Sequence, residues 1–99
     1  MNTSEYKETE SHKSDIQDLD FIQQVLEEGI ANYVITQSEN LWDTDNDRIY
    51  RALTFNRGMR YCKVVITPEC FIKATADKAP SSLIVEISNI LMCCLYDMK

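Results

Sequence analysis

Three aspartates stand at every second position of a short acidic segment, and carboxylates are among the oxygen ligands that calcium prefers. Asp43, Asp45 and Asp47 match the first three ligand positions of an EF-hand type loop. The sixth position of such a loop needs glycine and is Arg48, and the twelfth needs a bidentate carboxylate and is Thr54. The pattern therefore predicts no calcium site in this segment.

Side chains that catalysis uses are scarce along the chain. His12 is the sole histidine and lies in a polar N-terminal segment, so a nucleophile has no positioned base. The only glycines, Gly29 and Gly58, exclude a glycine-rich phosphate-binding loop. The cysteines lack the paired spacing of zinc ligands, and we expect Cys62 and Cys94 to pack in the core. We therefore expect no enzymatic activity, no metal and no cofactor.

Charge is divided unevenly along the chain. The net charge is −6, but residues 1–47 carry twelve acids against Lys7 and Lys13, a net charge of −10. Residues 48–99 carry eight Lys and Arg against four acids, a net charge of +4. Such asymmetry indicates a charged partner. The sequence contains neither an export signal nor an apolar run that would span a bilayer, so we expect a cytoplasmic protein.

Apolar periodicity predicts a helix at each end of one small domain. Residues 1–14 are polar and lack an apolar period, so we expect a disordered tail followed by a single domain over residues 15–99. Apolar residues then recur at the spacing of one helix face, with Ser14 placed to cap this first helix. A second such stripe predicts a helix from about Ser81 to about Tyr96.

The middle of the chain predicts an antiparallel β-hairpin, because alternation replaces the helical period there. Its strands are residues 48–55 and 59–67. A three-residue loop with Gly58 in the left-handed conformation fits the intervening residues. The register stays open, with Leu53 opposite either Tyr61 or Cys62.

Two segments flank this hairpin. Residues 37–47 are rich in turn formers and predict a surface loop, whereas residues 68–75 predict a short helix that packs Phe71 and Ile72, with a third strand as the alternative. Since a hairpin is not stable alone, we expect both terminal helices to cover it. The predicted fold is a small two-layer α+β domain: an antiparallel hairpin, with a third strand left open, covered by an N-terminal and a C-terminal helix.

The acidic segment and its neighbouring aromatic residues predict a protein-binding surface. The residues predicted to bind the partner are Glu39, Trp42, Asp43, Asp45, Asp47 and Tyr50. We expect a small acidic inhibitor that blocks the basic active site of a nuclease or other nucleic-acid-binding protein. In size and charge alone, this resembles bacterial immunity proteins, antitoxins and phage anti-defence proteins.

Other interpretations of the same residues remain open. The aspartates suit a solvated loop, and the lone tryptophan suits the core. The basic hairpin suits a nucleic-acid platform, but the net charge opposes direct nucleic-acid binding, and its cations can instead neutralise acids within the fold. The functional alternative is a structural module that self-associates through its oppositely charged halves, and a homodimer is compatible with either function. We expect no membrane partner.

Overall fold

The chain forms a helix, four strands and a second helix, in that order. The computed structural model describes residues 9–76 and 79–97. Within them the elements are α1 (Glu10–Gly29), β1 (Val34–Asp43), β2 (Arg48–Arg57), β3 (Arg60–Ile66), β4 (Ile72–Ala76) and α2 (Ser81–Asp97). The predicted α+β class is confirmed, as is the C-terminal helix, but the described sheet has more strands than predicted.

The strands form one antiparallel sheet in the order β1-β2-β3-β4. Along β2, Ile49, Leu53 and Phe55 are fully buried, whereas the alternate residues Tyr50 and Ala52 are only partly buried. The fully buried residues share one core cluster with residues of both helices, so α1 and α2 cover the same face of the sheet. The opposite face, called the open face below, is covered by neither helix. The predicted two-layer arrangement is confirmed.

The hydrophobic core lies between this sheet and the helices. The helices contribute Leu19, Ile22, Leu26, Leu83, Ile87, Leu91 and Cys94. Cys62 of β3 is also in the core, so the predicted burial of Cys62 and Cys94 is confirmed. All four cysteines lie among the described residues and are thiols rather than disulfides.

Helix α1 begins at Glu10, where the sequence predicted a tail. Thr9 caps it, because its side chain accepts a hydrogen bond from the backbone N–H of His12. The predicted tail over residues 1–14 is therefore wrong for residues 10–14, as is the predicted cap at Ser14, while residues 1–8 lie outside the described residues. Burial of His12 and Asp15 gives the first turns of the helix tertiary contacts that an apolar pattern does not reveal.

A two-residue turn of Gly58 and Met59 joins β2 to β3, since the strands pair up to the residues on either side. Gly58 has a φ of 61° while Met59 does not have a positive φ, which is the pattern of a type II′ turn. The left-handed Gly58 is confirmed, but the three-residue loop is wrong. Leu53 consequently lies opposite Val64 rather than either of the residues predicted.

Strand β1 occupies most of the segment predicted as a loop, residues 37–47. Only residues 44–47 form a turn. Glu39 lies opposite Ala52 and Trp42 opposite Ile49, and the pairing of β1 with β2 continues to its last residue, Asp43. The error has a physical cause: β1 is an edge strand with little burial, so turn-forming polar residues remain compatible with its ladder.

Strand β4 corrects the predicted helix over residues 68–75, and the alternative of a further strand is right from Ile72 onward. A tight turn precedes it, in which the backbone N–H of Thr67 donates to the carbonyl of Phe71 at 2.8 Å and that of Cys70 to the carbonyl of Thr67 at 3.0 Å. Cys70 has a φ of 72°, which ends any helical path. Phe71, predicted to pack inside, is 61% exposed.

Candidate protein-binding surface

Acidic side chains from three separate parts of the chain meet at one end of the sheet. We call this cluster the acidic end. Its members are Asp15, Asp18, Asp43, Asp45, Asp47 and Glu69. Direct contacts tie the parts together: His12 of α1 bonds Asp47 of the β1–β2 turn, and Arg48 of β2 bonds both Asp15 and Glu69. Acids distant in sequence therefore share one surface.

Asp43 organises the β1–β2 turn from within. Its carboxylate accepts hydrogen bonds from the backbone N–H groups of Asp45 and Asn46 at 3.1 and 3.4 Å, and from the Asn46 side chain at 2.9 Å. The Tyr50 hydroxyl donates to the same carboxylate at 3.2 Å. These donors, led by the Asn46 side chain, lower the pKa of Asp43, so it stays ionised. The turn is fixed by its own acid.

Asp47 links the same turn to helix α1. One carboxylate oxygen lies 2.8 Å from Nε2 of His12 and accepts the indole N–H of Trp42 at 3.1 Å. Both contacts lower the pKa of Asp47, and the hydrogen bond from Trp42 has the larger effect. His12 is 2% exposed, so its predicted position in a mobile tail is wrong. The histidine is positioned after all, and its contact with Asp47 serves to hold the turn against the helix.

Arg48 joins the remaining acids of this end. Its Nε and Nη2 atoms donate to the two oxygens of Asp15 at 3.0 Å each, and Nη2 also contacts Glu69. The backbone N–H of Ile49 donates to Asp15 at 3.1 Å, so this buried carboxylate accepts three hydrogen bonds, two of them from a charged guanidinium. On the adjacent part of β2, Arg51 likewise forms an ion pair with an aspartate of helix α1. These two hairpin cations therefore neutralise acids within the fold.

Asp18 lies beside this network on the next turn of α1. Partial burial raises its pKa, and the negative charges of Asp15 and Glu69 raise it further, partly offset by Arg48. No hydrogen bond to its carboxylate is present within residues 9–76 and 79–97. A cationic group from another molecule placed beside Asp18 would therefore stabilise its ionised form.

The six predicted binding residues occupy three different settings. Asp43 and Asp47 hold the turn. Tyr50 donates its hydrogen bond to Asp43, and Trp42 donates its own to Asp47. Tyr50 also lies under Lys73, whose Nζ is 5.0 Å from the ring centroid. Glu39 pairs with Ala52 on the open face, apart from the turn. Within the turn, Asp45 is exposed and its side chain has no partner among the described residues.

Phe71 is the functional candidate that sequence analysis missed. The residue is 61% exposed and follows Glu69 by two positions, in the turn that precedes β4. The backbone N–H of Phe71 donates to the Thr67 hydroxyl at 3.1 Å, so the turn presents the ring on a fixed backbone. The left-handed Cys70 turns its own side chain inward and directs the chain so that Phe71 faces solvent. No sequence signal marks a left-handed cysteine, since glycine or asparagine is expected there.

Positive charge collects at the opposite end of the β2–β3 hairpin. Arg57 and Arg60 flank the turn there and pair across the strands, and the guanidinium of Arg57 lies 6.0 Å from the Tyr33 ring centroid. Strand β2 separates this basic end from the acidic end by roughly 30 Å, given the rise of an antiparallel strand. The sheet therefore carries a cluster of acids at one end and these two arginines at the other.

Comparisons with protein-family models, with curated proteins and with solved structures find no match for this chain. Across residues 9–76 and 79–97, the side chains form no cluster suited to a metal ion. In that same part of the chain, neither helix has the length and apolarity needed to cross a membrane.

Proposed function

We propose that this chain is a protein-binding inhibitor whose acidic end docks on the basic active site of a nuclease or other nucleic-acid-binding protein in the cytoplasm. The observation that carries the proposal is the convergence of acids from α1, the β1–β2 turn and the β3–β4 turn. Carboxylates held at fixed positions stand in for the phosphates that such an active site binds. Inhibition needs no chemistry of its own, since occupancy excludes the nucleic acid.

The acidic end separates into supporting and contacting residues. Asp15, Asp43 and Asp47 accept several internal hydrogen bonds and hold the surface rigid. The carboxylates of Asp18 and Asp45 accept no hydrogen bond within residues 9–76 and 79–97, and these are the acids available to a cationic partner. Rigid presentation favours affinity, because less conformational freedom is lost on binding.

Phe71 supplies the apolar part of this surface. Phe71 is exposed on a hydrogen-bonded turn two residues after Glu69, and aromatic residues of this kind are enriched in the buried cores of protein interfaces. We expect Phe71 to enter a pocket of the partner while the acids steer the approach. Association should accordingly be fast and should weaken as salt is raised.

The experiment is affinity capture of binding partners from native cells at low salt, with the tagged wild type and two double variants as baits. Asp18→Asn with Asp45→Asn removes two contacting charges, and the control Glu27→Gln with Glu28→Gln removes two charges elsewhere on the surface. We expect the wild type and the control to capture the same basic protein in a salt-sensitive manner, and the Asp18/Asp45 variant to lose it. Purified chain should then inhibit that protein's activity on nucleic acid. Equal capture by all three proteins, or no partner at all, would contradict the proposal.

A second candidate is self-association of the acidic end with the basic end of another copy. The specific observation in its favour is the position of Arg57 and Arg60 at the far end of the hairpin. Such a contact is head-to-tail, so it does not close on itself and builds chains of increasing length. Sedimentation at low salt would then show a concentration-dependent series of species that collapses to monomer at high salt.

A further inference from the structure

Helix α2 carries a second, uncharged stripe on the side that faces away from the core. Its residues are Val85, Asn89, Met92 and Tyr96, here called the outer stripe. At 100° per residue these positions fall within about 60° of the helix circumference. The core-facing residues of the same helix, such as Leu83 and Ile87, lie on the opposite side and are buried. Helix α2 thus presents an ordered row of side chains to solvent.

The outer stripe is more apolar than a solvated helix face should be. Val85 is 58% exposed, Met92 59% and Tyr96 74%. Helix α2 contains no Lys or Arg, and its acids Glu86 and Asp97 both lie to one side of the stripe. A helix that is apolar on both sides is usually covered on both sides. Exposed apolar residues also occur elsewhere, such as Val34 and Tyr61, but on α2 they form a row along one helix face.

We propose that the outer stripe is the interface of a two-fold symmetric dimer, with a second copy of this chain as its occupant. The spacing of the stripe is four, three and four residues, which is the same in either direction. An antiparallel α2 pair with its axis midway between Asn89 and Met92 therefore sets every stripe residue opposite another. Val85 meets Tyr96 of the second copy, and Asn89 meets Met92.

Charge favours a copy of this chain over a charged partner. Two molecules of net charge −6 repel each other through their acidic surfaces, and an uncharged stripe is where they approach at least cost. A strongly charged partner would gain nothing from a surface without complementary groups. The acidic end lies on the turns of the sheet rather than on the stripe, so the dimer leaves it accessible. This inference does not depend on the proposed inhibitor function.

The size of the stripe predicts a weak dimer. Its three apolar side chains offer on the order of 400 Å² per copy, judged from the area that such side chains bury. Stable interfaces bury about 800 Å² per partner, of which somewhat more than half is apolar. The stripe and its polar flanks approach that size, and interfaces of standard size range from micromolar to picomolar affinity, so we expect this small interface to lie at the micromolar end.

Sedimentation velocity from low to high micromolar concentration tests the dimer directly. We expect the wild type to pass from monomer to a discrete dimer that added salt does not weaken, because salt screens the repulsion between the two copies, and we expect no larger species. Met92→Glu places an acid in the interface and should abolish the dimer, whereas the matched control Met59→Glu, at a fully solvated turn position, should retain it. Both variants should fold, which thermal unfolding at dilute concentration checks.

Cross-linking supplies an independent readout of the geometry. Cys93 flanks the outer stripe and is the exposed cysteine, the others being buried. In the antiparallel pair the two Cys93 residues lie about 8 Å apart along the helix axis and on the same side. A short bis-maleimide should yield a covalent dimer that Cys93→Ser and Met92→Glu both eliminate. A wild type that stays monomeric at all concentrations, or a dimer that survives Met92→Glu, would overturn the proposal.

Discussion

Asp15 offers the sharpest test of what holds the acidic end together. It is 5% exposed and accepts two hydrogen bonds from Arg48 and one from the backbone of Ile49. In Asp15→Ala the buried N–H of Ile49 loses its acceptor, which costs about 2 kcal/mol. Loss of the ion pair adds about 1 kcal/mol, a discounted value because the Arg48 side chain is 35% exposed.

The expected total for Asp15→Ala is therefore about 3 kcal/mol of unfolding free energy. Asp15→Asn keeps an oxygen for the Ile49 N–H and should lose about 1 kcal/mol, mainly from the ion pair. Urea unfolding at neutral pH measures both, with Asp45→Ala as the exposed-acid control that changes stability by less than about 0.5 kcal/mol. If Asp15→Asn costs as much as Asp15→Ala, or if Asp15→Ala matches Asp45→Ala, the buried acceptor is not what stabilises this region.

Three further variants or conditions test separate features. Gly58→Ala should lower the free energy of unfolding in urea by about 1 kcal/mol, because a φ of 61° strains any residue that has a Cβ. A steric clash is not the cause, since no atom lies within 4 Å of the added Cβ. An unchanged urea midpoint would contradict the left-handed conformation of Gly58. Asp47→Asn should lower the thermal midpoint at pH 7, with the difference from wild type shrinking toward pH 3. The pKa of Asp47 in the folded protein lies below the value of a free aspartate. The ionised carboxylate therefore stabilises the fold at any pH above the free value, and this stabilisation is lost as the pH falls through the folded-state pKa. A difference between the thermal midpoints of wild type and variant that grows in acid would refute this. Burial raises the pKa of the Cys70 thiol to about 11 and also raises that of Cys94, so at pH 8 a thiol reagent should modify one cysteine, Cys93, rapidly in the native protein and all four after denaturation.

The elements that the sequence predicted are those in which burial of one face produces a periodic pattern of apolar residues. Helix α2 and strands β2 and β3 each have a buried face, and apolar residues recur along each at the matching spacing. Strands β1 and β4 lie at the sheet edges, where polar residues satisfy the ladder as well as apolar ones do. Their identity depends on the neighbouring strand, which a local pattern does not contain.

The candidate site was predictable in type but not in detail. The acidic character of residues 43–47 and the excess charge of the N-terminal half are properties of the sequence. That Asp47 contacts His12, and that Glu69 joins the same surface, are contacts between distant residues and follow only from the fold. Phe71 was assigned to the core because its neighbours suggested a helix, and a left-handed Cys70 reversed that assignment.

The meander order of the sheet has a consequence for how the chain reaches this structure. Each strand pairs with its neighbour in sequence, so the loops that must close to build the sheet are short and their closure loses little chain entropy. The core, in contrast, is completed only when α1 and α2, from opposite ends of the sequence, dock on the same face. Folding is therefore expected to begin at the β2–β3 hairpin, with changes in that hairpin slowing folding and changes in α2 mainly accelerating unfolding.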